Sequence, residues 1–138
     1  MRNRLASFLI ALVLLVGGPV TVSAAGEDAV TQTIRDQLEA FRSGNPQGAY
    51  SFASPNIKGI FPSVPNFASM VKEAYPMVWT PGPAKMLGRE SRNGGVYQKV
   101  LLTDAQGALH LLEYRLIETG DGWKIDAVRV LNPMDGMV

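Results

Sequence analysis

The fold of this chain is decided by residues 84–131, AKMLGRESRNGGVYQKVLLTDAQGALHLLEYRLIETGDGWKIDAVRVL. Four apolar-rich segments, at residues 84–91, 96–103, 108–118 and 123–131, are separated by short segments rich in Gly, Asn and Asp. Residues of these three types tolerate positive φ and are typical of tight hairpin turns. We therefore predict four consecutive strands that pair as an antiparallel meander.

A helix is predicted over residues 28–42, ahead of this sheet. Its apolar residues recur at helical spacing, while polar residues that include Gln37 fill the other face. The apolar positions are Val30, Ile34, Leu38 and Phe41. This periodicity predicts an amphipathic helix whose apolar stripe packs on the sheet.

Two further helices are predicted before the strands. Asn45-Pro46 is a cap residue followed by a first-turn proline, which predicts a short helix that ends near Phe52 or Ala53, because Pro55 disfavours helix at Ser54. The next helix is predicted over residues 65–75, and three prolines in residues 76–83 predict an extended connection instead of a regular element. Helices followed by a meander give an α+β domain, with N-terminal helices packed on one face of a curved four-stranded antiparallel sheet.

The first 24 residues have the pattern of a signal peptide. Arg2 and Arg4 precede an apolar run over residues 5–16, and small residues allow cleavage after Ala24 or Ala25. The run is shorter than the roughly 20 residues that a membrane-spanning helix needs. We therefore expect a periplasmic or secreted protein with no stable membrane span after processing, in which residues 25–138 form one cone-shaped domain.

Composition excludes several kinds of site. The chain has no Cys and one His, so disulfides, thiolate zinc sites and multi-histidine metal sites are ruled out. Beyond residue 24 there are 11 basic and 12 acidic side chains, which give no electrostatic reason to propose nucleic acid as a partner. A glycine-rich phosphate loop is also absent from the sequence. We expect no metal and no cofactor.

His110 is the first candidate for chemistry. Strand alternation places it on the predicted core face together with Tyr114. A neutral imidazole that lines a cavity could act as a general base, whereas a core or rim histidine would have its ring nitrogens satisfied locally. Glu113 and Arg115 point to the opposite face and are predicted to form an exposed ion pair.

Asp126 is the second candidate. Along the last strand, the apolar residues lie at odd-numbered positions as far as Ala127 and at even-numbered positions from Val128. This change from one face to the other predicts a bulge or an exposed strand end near residues 127–129. Asp126 could then approach a cavity mouth as a base, or it could be a solvated carboxylate that pairs with Lys124 or Arg129.

Candidates for ligand binding are concentrated in the helical half and the proline-rich connection. Met70, Tyr75 and Trp79 belong to a set of Met and aromatic residues that could line a pocket for an apolar ligand or form the core of a small domain. Tyr75 and Trp79, flanked by prolines, are expected at a pocket rim because their polar tips need water or a partner. Tyr97 is a further candidate, on a strand whose inward face the sequence does not assign.

Several short motifs resemble a known family. They are IRDQLEAF at residues 34–41, FASP at 52–55, Met70-Val71 with Tyr75-Pro76, VLLTD at 100–104 and GWKI at 122–125. Their order resembles the bacterial domain-of-unknown-function family DUF4864, which is itself similar to the superfamily of nuclear transport factor two and ketosteroid isomerase. This resemblance implies a cystatin-like, cone-shaped fold with a cavity, and often a dimer formed through the sheet, but no particular activity.

Two functions remain open from the sequence. The first is an exported, non-catalytic domain that binds a small apolar ligand or a protein partner. The alternative is a cofactor-free isomerase or lyase of the ketosteroid isomerase or dehydratase type, with His110 as base and Tyr114 or Tyr97 as proton donor. A homodimer through the sheet is compatible with either function.

Overall fold

The computed structural model describes residues 22–131, in which five helices precede four strands. The helices are α1 (Val22–Arg42), α2 (Pro46–Ser51), α3 (Pro55–Ile60), α4 (Val64–Ala74) and α5 (Pro76–Trp79). The strands are β1 (Pro81–Arg92), β2 (Gly95–Asp104), β3 (Leu109–Thr119) and β4 (Gly122–Val130). All but the last three residues of the predicted signal peptide lie outside the described residues.

The sheet is the predicted antiparallel meander, in the order β1-β2-β3-β4. The β1–β2 turn uses Asn93 and Gly94, whose φ angles are 51° and 72°. Glycine is favoured at Gly94 and a short polar residue at Asn93, because other side chains rarely adopt positive φ. The turn chemistry read from the sequence therefore sets the strand order.

Serine and asparagine caps start the helices. The side chains of Asn45, Ser54 and Ser63 each accept a hydrogen bond from a backbone N–H of the first helical turn, and a proline lies at the start of each helix. The α3 helix is not among the predicted helices, although Ser54-Pro55 has the same signature as Asn45-Pro46. Pro55 excludes helix only before itself and is well suited to open one.

The connection over residues 76–83 also differs from the prediction. Pro76 opens a one-turn helix, α5, and β1 begins at Pro81. Pro76 and Pro81 occupy positions where a missing N–H does little harm: the first turn of a helix and the first residue of an edge strand. Pro83 lies inside β1, where the register of the β1–β2 pair shifts between Pro81 and Ala84. The three prolines are therefore compatible with regular elements here.

The core lies between the helices and one face of the sheet, called here the inner face. The apolar stripe of α1 is buried as predicted, and the predicted core face of β3 contributes Leu112, Tyr114 and Leu116, all fully buried. Further buried apolar residues are Phe67, Val71, Met77, Val78, Val100, Leu102 and Ile125. The described helices pack on this inner face, so the chain is an α+β domain with its described helices on one side of the sheet.

A candidate ligand cavity between the helices and the fourth strand

A cavity of about 480 Å³ opens between α1, α3, α4 and β4. Its walls are mostly apolar, and the polar residues among those that line it are Gln37, Tyr75 and Asp126. The apolar lining consists of Phe41, Ala53, Ile57, Ile60, Phe61, Phe67, Met70, Val71, Ala74, Val78, Ile125, Ala127 and Val128. A concave apolar space of this size with a few polar groups is typical of small-molecule sites.

Asp126, one of the residues that line this cavity, lies at a β-bulge in β4. Arg115 of β3 pairs with Ala127 and Leu116 pairs with Ile125, so Asp126 is the extra residue between them. The loop before α3 fixes this edge of the sheet, because Ile125 exchanges backbone hydrogen bonds of 2.8 Å with residues 52 and 54. The predicted bulge is therefore present, one residue earlier than expected.

The Asp126 carboxylate has three side-chain donors. Its Oδ1 accepts from Ser54 Oγ at 2.7 Å and from Asn56 Nδ2 at 3.0 Å, and its Oδ2 accepts from Arg115. Partial burial acts to raise the pKa of Asp126, but these hydrogen bonds together outweigh it and hold the pKa below its usual value. Asp126 is therefore ionised at neutral pH and balanced by the Arg115 guanidinium.

Two ion-pair predictions are wrong. Lys124 donates to a backbone carbonyl of α2, and Arg129 donates to Glu113 Oε1 at 2.8 Å, so neither pairs with Asp126. Glu113 is buried, with 8% exposure, and does not pair with Arg115. Arg115 pairs with Asp126 instead, and Glu113 pairs with Arg92 of β1 and Arg129 of β4.

Gln37 lies inside the apolar stripe of α1, contrary to the prediction that it faces solvent. It is 4% exposed and lines the cavity. Its Nε2 donates to the Ala49 carbonyl at 3.1 Å, which fixes the orientation of the amide. Its spacing is the signal that could have found it, since Gln37 follows Ile34 by three residues and precedes Phe41 by four.

Two of the candidate ligand-binding residues reach the cavity and a third does not. Met70 and Tyr75 line it, and the Tyr75 hydroxyl donates to the Val128 carbonyl at 2.9 Å. Trp79 instead packs against Phe41, with ring centroids 5.9 Å apart, and borders a separate depression near the start of α2.

Tyr97 lies on the face of the sheet that the helices leave uncovered, called here the outer face. Its cross-strand partner is Arg115, whose Nε donates to the Tyr97 hydroxyl at 3.1 Å. The guanidinium of Arg92 stacks over the ring at 3.7 Å from its centroid. Tyr97 is therefore held by two arginines, away from the cavity.

Tyr114 is fully buried in the core. Its hydroxyl finds no hydrogen-bond partner within the part of the chain that the structure describes. Burial, and to a smaller extent the nearby Tyr75, raises the pKa of Tyr114 well above its ordinary value. The phenol is neutral at any physiological pH.

His110 lies on the inner face as predicted, but at the end of the sheet beside the β2–β3 turn. Its Nε2 is 2.8 Å from Asp104 Oδ2, a partner that the sequence analysis did not identify. Hydrogen bonds from His110 and from the Ala108 backbone N–H lower the pKa of Asp104. His110, Tyr114 and Tyr97 thus occupy three separate places, and none of them is among the residues that line the cavity.

Within residues 22–131, no group of three or more His, Asp or Glu side chains is arranged so that it could hold a metal ion. Over the same range, every helix is too short or too polar to cross a membrane.

The sequence itself matches one family. The model of this family, described as a domain of unknown function, covers residues 23–138. No curated protein and no solved structure matches the chain. The match includes every described strand and nearly all of the helical half, and on this basis the chain belongs to the DUF4864 family.

Proposed function

We propose that this protein binds a small, predominantly apolar molecule in the cavity between α1, α3, α4 and β4. The observation that carries the proposal is the cavity itself, about 480 Å³ in volume with largely apolar walls. Three other depressions on the described surface have similar volumes, of about 420–460 Å³, but charged and polar side chains take part in their walls. The continuous apolar lining therefore distinguishes this cavity as a site for an apolar ligand.

The mouth of the cavity supports the same proposal. Ile60, at the end of α3, borders the cavity and is 67% exposed. Ala74, at the end of α4, also borders it and is exposed. The two side chains extend the apolar lining to the mouth of the cavity, where a bound apolar molecule would cover them.

Fluorescence of N-phenyl-1-naphthylamine, a neutral apolar dye that brightens in apolar surroundings, tests the proposal. We expect saturable enhancement with the wild-type protein and strong reduction with Ala74→Trp, which blocks the mouth. Ala105→Trp, at an exposed turn position far from the cavity lining, is the matched control and should bind the dye like wild type. Equal dye binding by both variants would show that the dye binds elsewhere and would contradict the proposal.

The positions of the catalytic candidates favour binding over catalysis. A base must reach the proton that it removes, and His110 is hydrogen-bonded to Asp104 outside the cavity lining. Tyr114 is fully buried in the core and Tyr97 lies on the outer face, and neither is among the residues that could present a hydroxyl to a molecule in the cavity. We expect His110→Gln to retain the dye affinity of wild type, and a lost turnover with retained dye binding would favour the isomerase or lyase instead.

We also propose that the protein acts after export, in the periplasm or outside the cell. The support is the charged start, the apolar run of residues 5–16 and the small residues that precede Gly26. The intact mass of the protein from the exported fraction tests this. A chain that begins at Ala25 or Gly26 is expected, and one that retains Met1 would contradict export.

A homodimer is the third part of the proposal. Leu101 and Leu111 face each other across the outer face, next to Leu109, which is 65% exposed. An apolar patch of neighbouring leucines on an uncovered sheet suits a second copy of the same face.

A further inference from the structure

We infer that the ligand of the cavity carries a neutral hydrogen-bond donor, a hydroxyl or an N–H, that bonds to the side-chain oxygen of Gln37. This inference rests on the proposed function and adds the chemical class of the ligand. The class is an apolar body with one uncharged donor group, such as an alcohol, a phenol or a secondary amine of low basicity.

The first step concerns the orientation of the Gln37 amide. A backbone carbonyl can only accept, so the group that meets the Ala49 carbonyl at 3.1 Å must be the Gln37 NH₂. The Gln37 oxygen then points away from Ala49. No hydrogen bond to that oxygen is found among the described residues, and it is not sealed from solvent, since the only fully enclosed unpartnered side-chain atom among them is the Tyr114 hydroxyl.

The second step places this oxygen in the cavity. Gln37 is 4% exposed and is one of the lining residues, so the little surface that it retains faces the cavity. An amide oxygen in apolar surroundings without a donor is unfavourable, and a donor supplied by a bound molecule relieves this cost. Gln37 is therefore the polar group that orients the ligand.

The third step concerns charge. The Tyr75 hydroxyl donates its hydrogen to the Val128 carbonyl. The Asp126 carboxylate accepts three side-chain hydrogen bonds, and the Arg115 guanidinium balances its charge. The described lining of the cavity thus offers an anionic ligand no unpaired cation and a cationic ligand no unpaired anion. Burying an unpaired charge is costly, so the donor group is a neutral one.

Two matched compounds test the inference by displacement of N-phenyl-1-naphthylamine. One is 1-naphthol, which has an O–H donor, and the other is 1-methoxynaphthalene, in which a methyl group replaces that hydrogen. We expect 1-naphthol to bind the wild-type protein about 5- to 10-fold more tightly, the ratio for one net hydrogen bond. We expect 1-naphthoate, the anionic analogue, to bind more weakly than either.

Gln37→Met supplies the protein side of the test, because it keeps the length of the side chain and removes the oxygen. The preference for 1-naphthol should vanish while the affinity for 1-methoxynaphthalene stays within about twofold of wild type. Gln106→Met, at an exposed turn position, is the control and should keep the preference. Should Gln37→Met fail to fold, equal affinities of the two compounds for the wild-type protein would still overturn the inference.

These experiments distinguish a failure of the inference about Gln37 from a failure of the proposed function. If the dye binds at the cavity but 1-naphthol and 1-methoxynaphthalene have equal affinity, the inference is overturned and the apolar cavity stands. Tighter binding of 1-naphthoate overturns the neutral character of the donor group. If neither the dye nor any of the three compounds binds, the proposed function fails and the inference fails with it.

Discussion

Tyr114 stands at the centre of the inner face with a hydroxyl that has no partner among the described residues. Removal of a buried hydroxyl ordinarily weakens a protein because a hydrogen bond is lost. On folding, the Tyr114 hydroxyl loses its hydrogen bonds to water and gains none from the described residues. Its presence costs free energy, and the aromatic ring alone supplies the packing.

Tyr114→Phe is therefore expected to leave the free energy of unfolding unchanged or to raise it by up to about 1 kcal/mol. Tyr75→Phe is the matched variant and should lower it by about 1 kcal/mol, since the Tyr75 hydroxyl donates to Val128 at 2.9 Å. Urea unfolding at pH 7 measures both. A loss of more than about 1 kcal/mol in Tyr114→Phe would mean that its hydroxyl is satisfied in solution.

Asp126 gives a prediction about pH. Its pKa is lowered in the folded protein and is about 3.9 when unfolded, so its contribution to stability is complete above about pH 4. The contribution is lost as the pH falls through the lower, folded value. Asp126→Asn should thus be less stable than wild type at pH 7 by about 1–3 kcal/mol, and the gap should narrow on acidification.

Urea unfolding of Asp126→Asn and wild type at pH 7 and pH 3 measures this gap. Asp121→Asn, at the exposed turn between β3 and β4, is the control and should differ little from wild type at either pH. A gap that is constant or that widens at pH 3 would show that the Asp126 carboxylate is not stabilised by its three donors.

Single residues were the hardest part to predict from the sequence. Periodicity assigns a residue to a face, and it placed His110 and Tyr114 on the inner face correctly. It does not give the partner across the fold: Ser54 and Asp126 are 72 positions apart, and their hydrogen bond exists only because the loop before α3 pairs with β4. The polarity of Gln37 led to the wrong prediction that it faces solvent. Its buried amide is tolerated because it bonds to a backbone carbonyl and borders a cavity.

Elements were largely predictable, because their signals are local. Glycine-rich turns and apolar alternation predicted β2, β3 and β4 to within one residue at each end. They predicted β1 to within three residues, because this strand begins at Pro81. The short helices α3 and α5 were missed because two turns or fewer leave no periodicity to detect. A cap residue followed by proline is the stronger signal for such helices, and Ser54-Pro55 carries it.

The caps of α3 and α4 give a prediction at this scale. Ser54 accepts from the Ile57 N–H and donates to Asp126 while fully buried, whereas Ser63 only accepts from the Asn66 N–H near solvent. Ser63→Ala should lower the free energy of unfolding by about 1 kcal/mol, and Ser54→Ala by about 2–3 kcal/mol. Chemical denaturation compares them, and equal losses would mean that the bond to Asp126 adds nothing to the cap.

At the scale of the whole molecule, both edges of the sheet are protected. At the β1 edge, Arg42 donates to the Pro81 and Gly82 carbonyls, and the register of the β1–β2 pair shifts between Pro81 and Ala84 and between Met86 and Arg89. At the β4 edge, the loop before α3 pairs with Ile125. Arginine contacts, bulges and covering loops each discourage edge-to-edge pairing, so a second copy is more readily accommodated on the outer face than at an edge.

The proposed dimer then depends on the leucines of the outer face. Replacing Leu101 and Leu109 together by Lys puts two charges on that face without touching the core, since both side chains point away from the helices. Burying these charges against a second copy is unfavourable, so sedimentation at micromolar concentration should change from dimer to monomer. Ile60→Lys, equally exposed but on the helical side, is the control and should remain dimeric. A wild-type protein that sediments as a monomer would refute the dimer, whereas a dimer that survives the double substitution would have to form through some other surface.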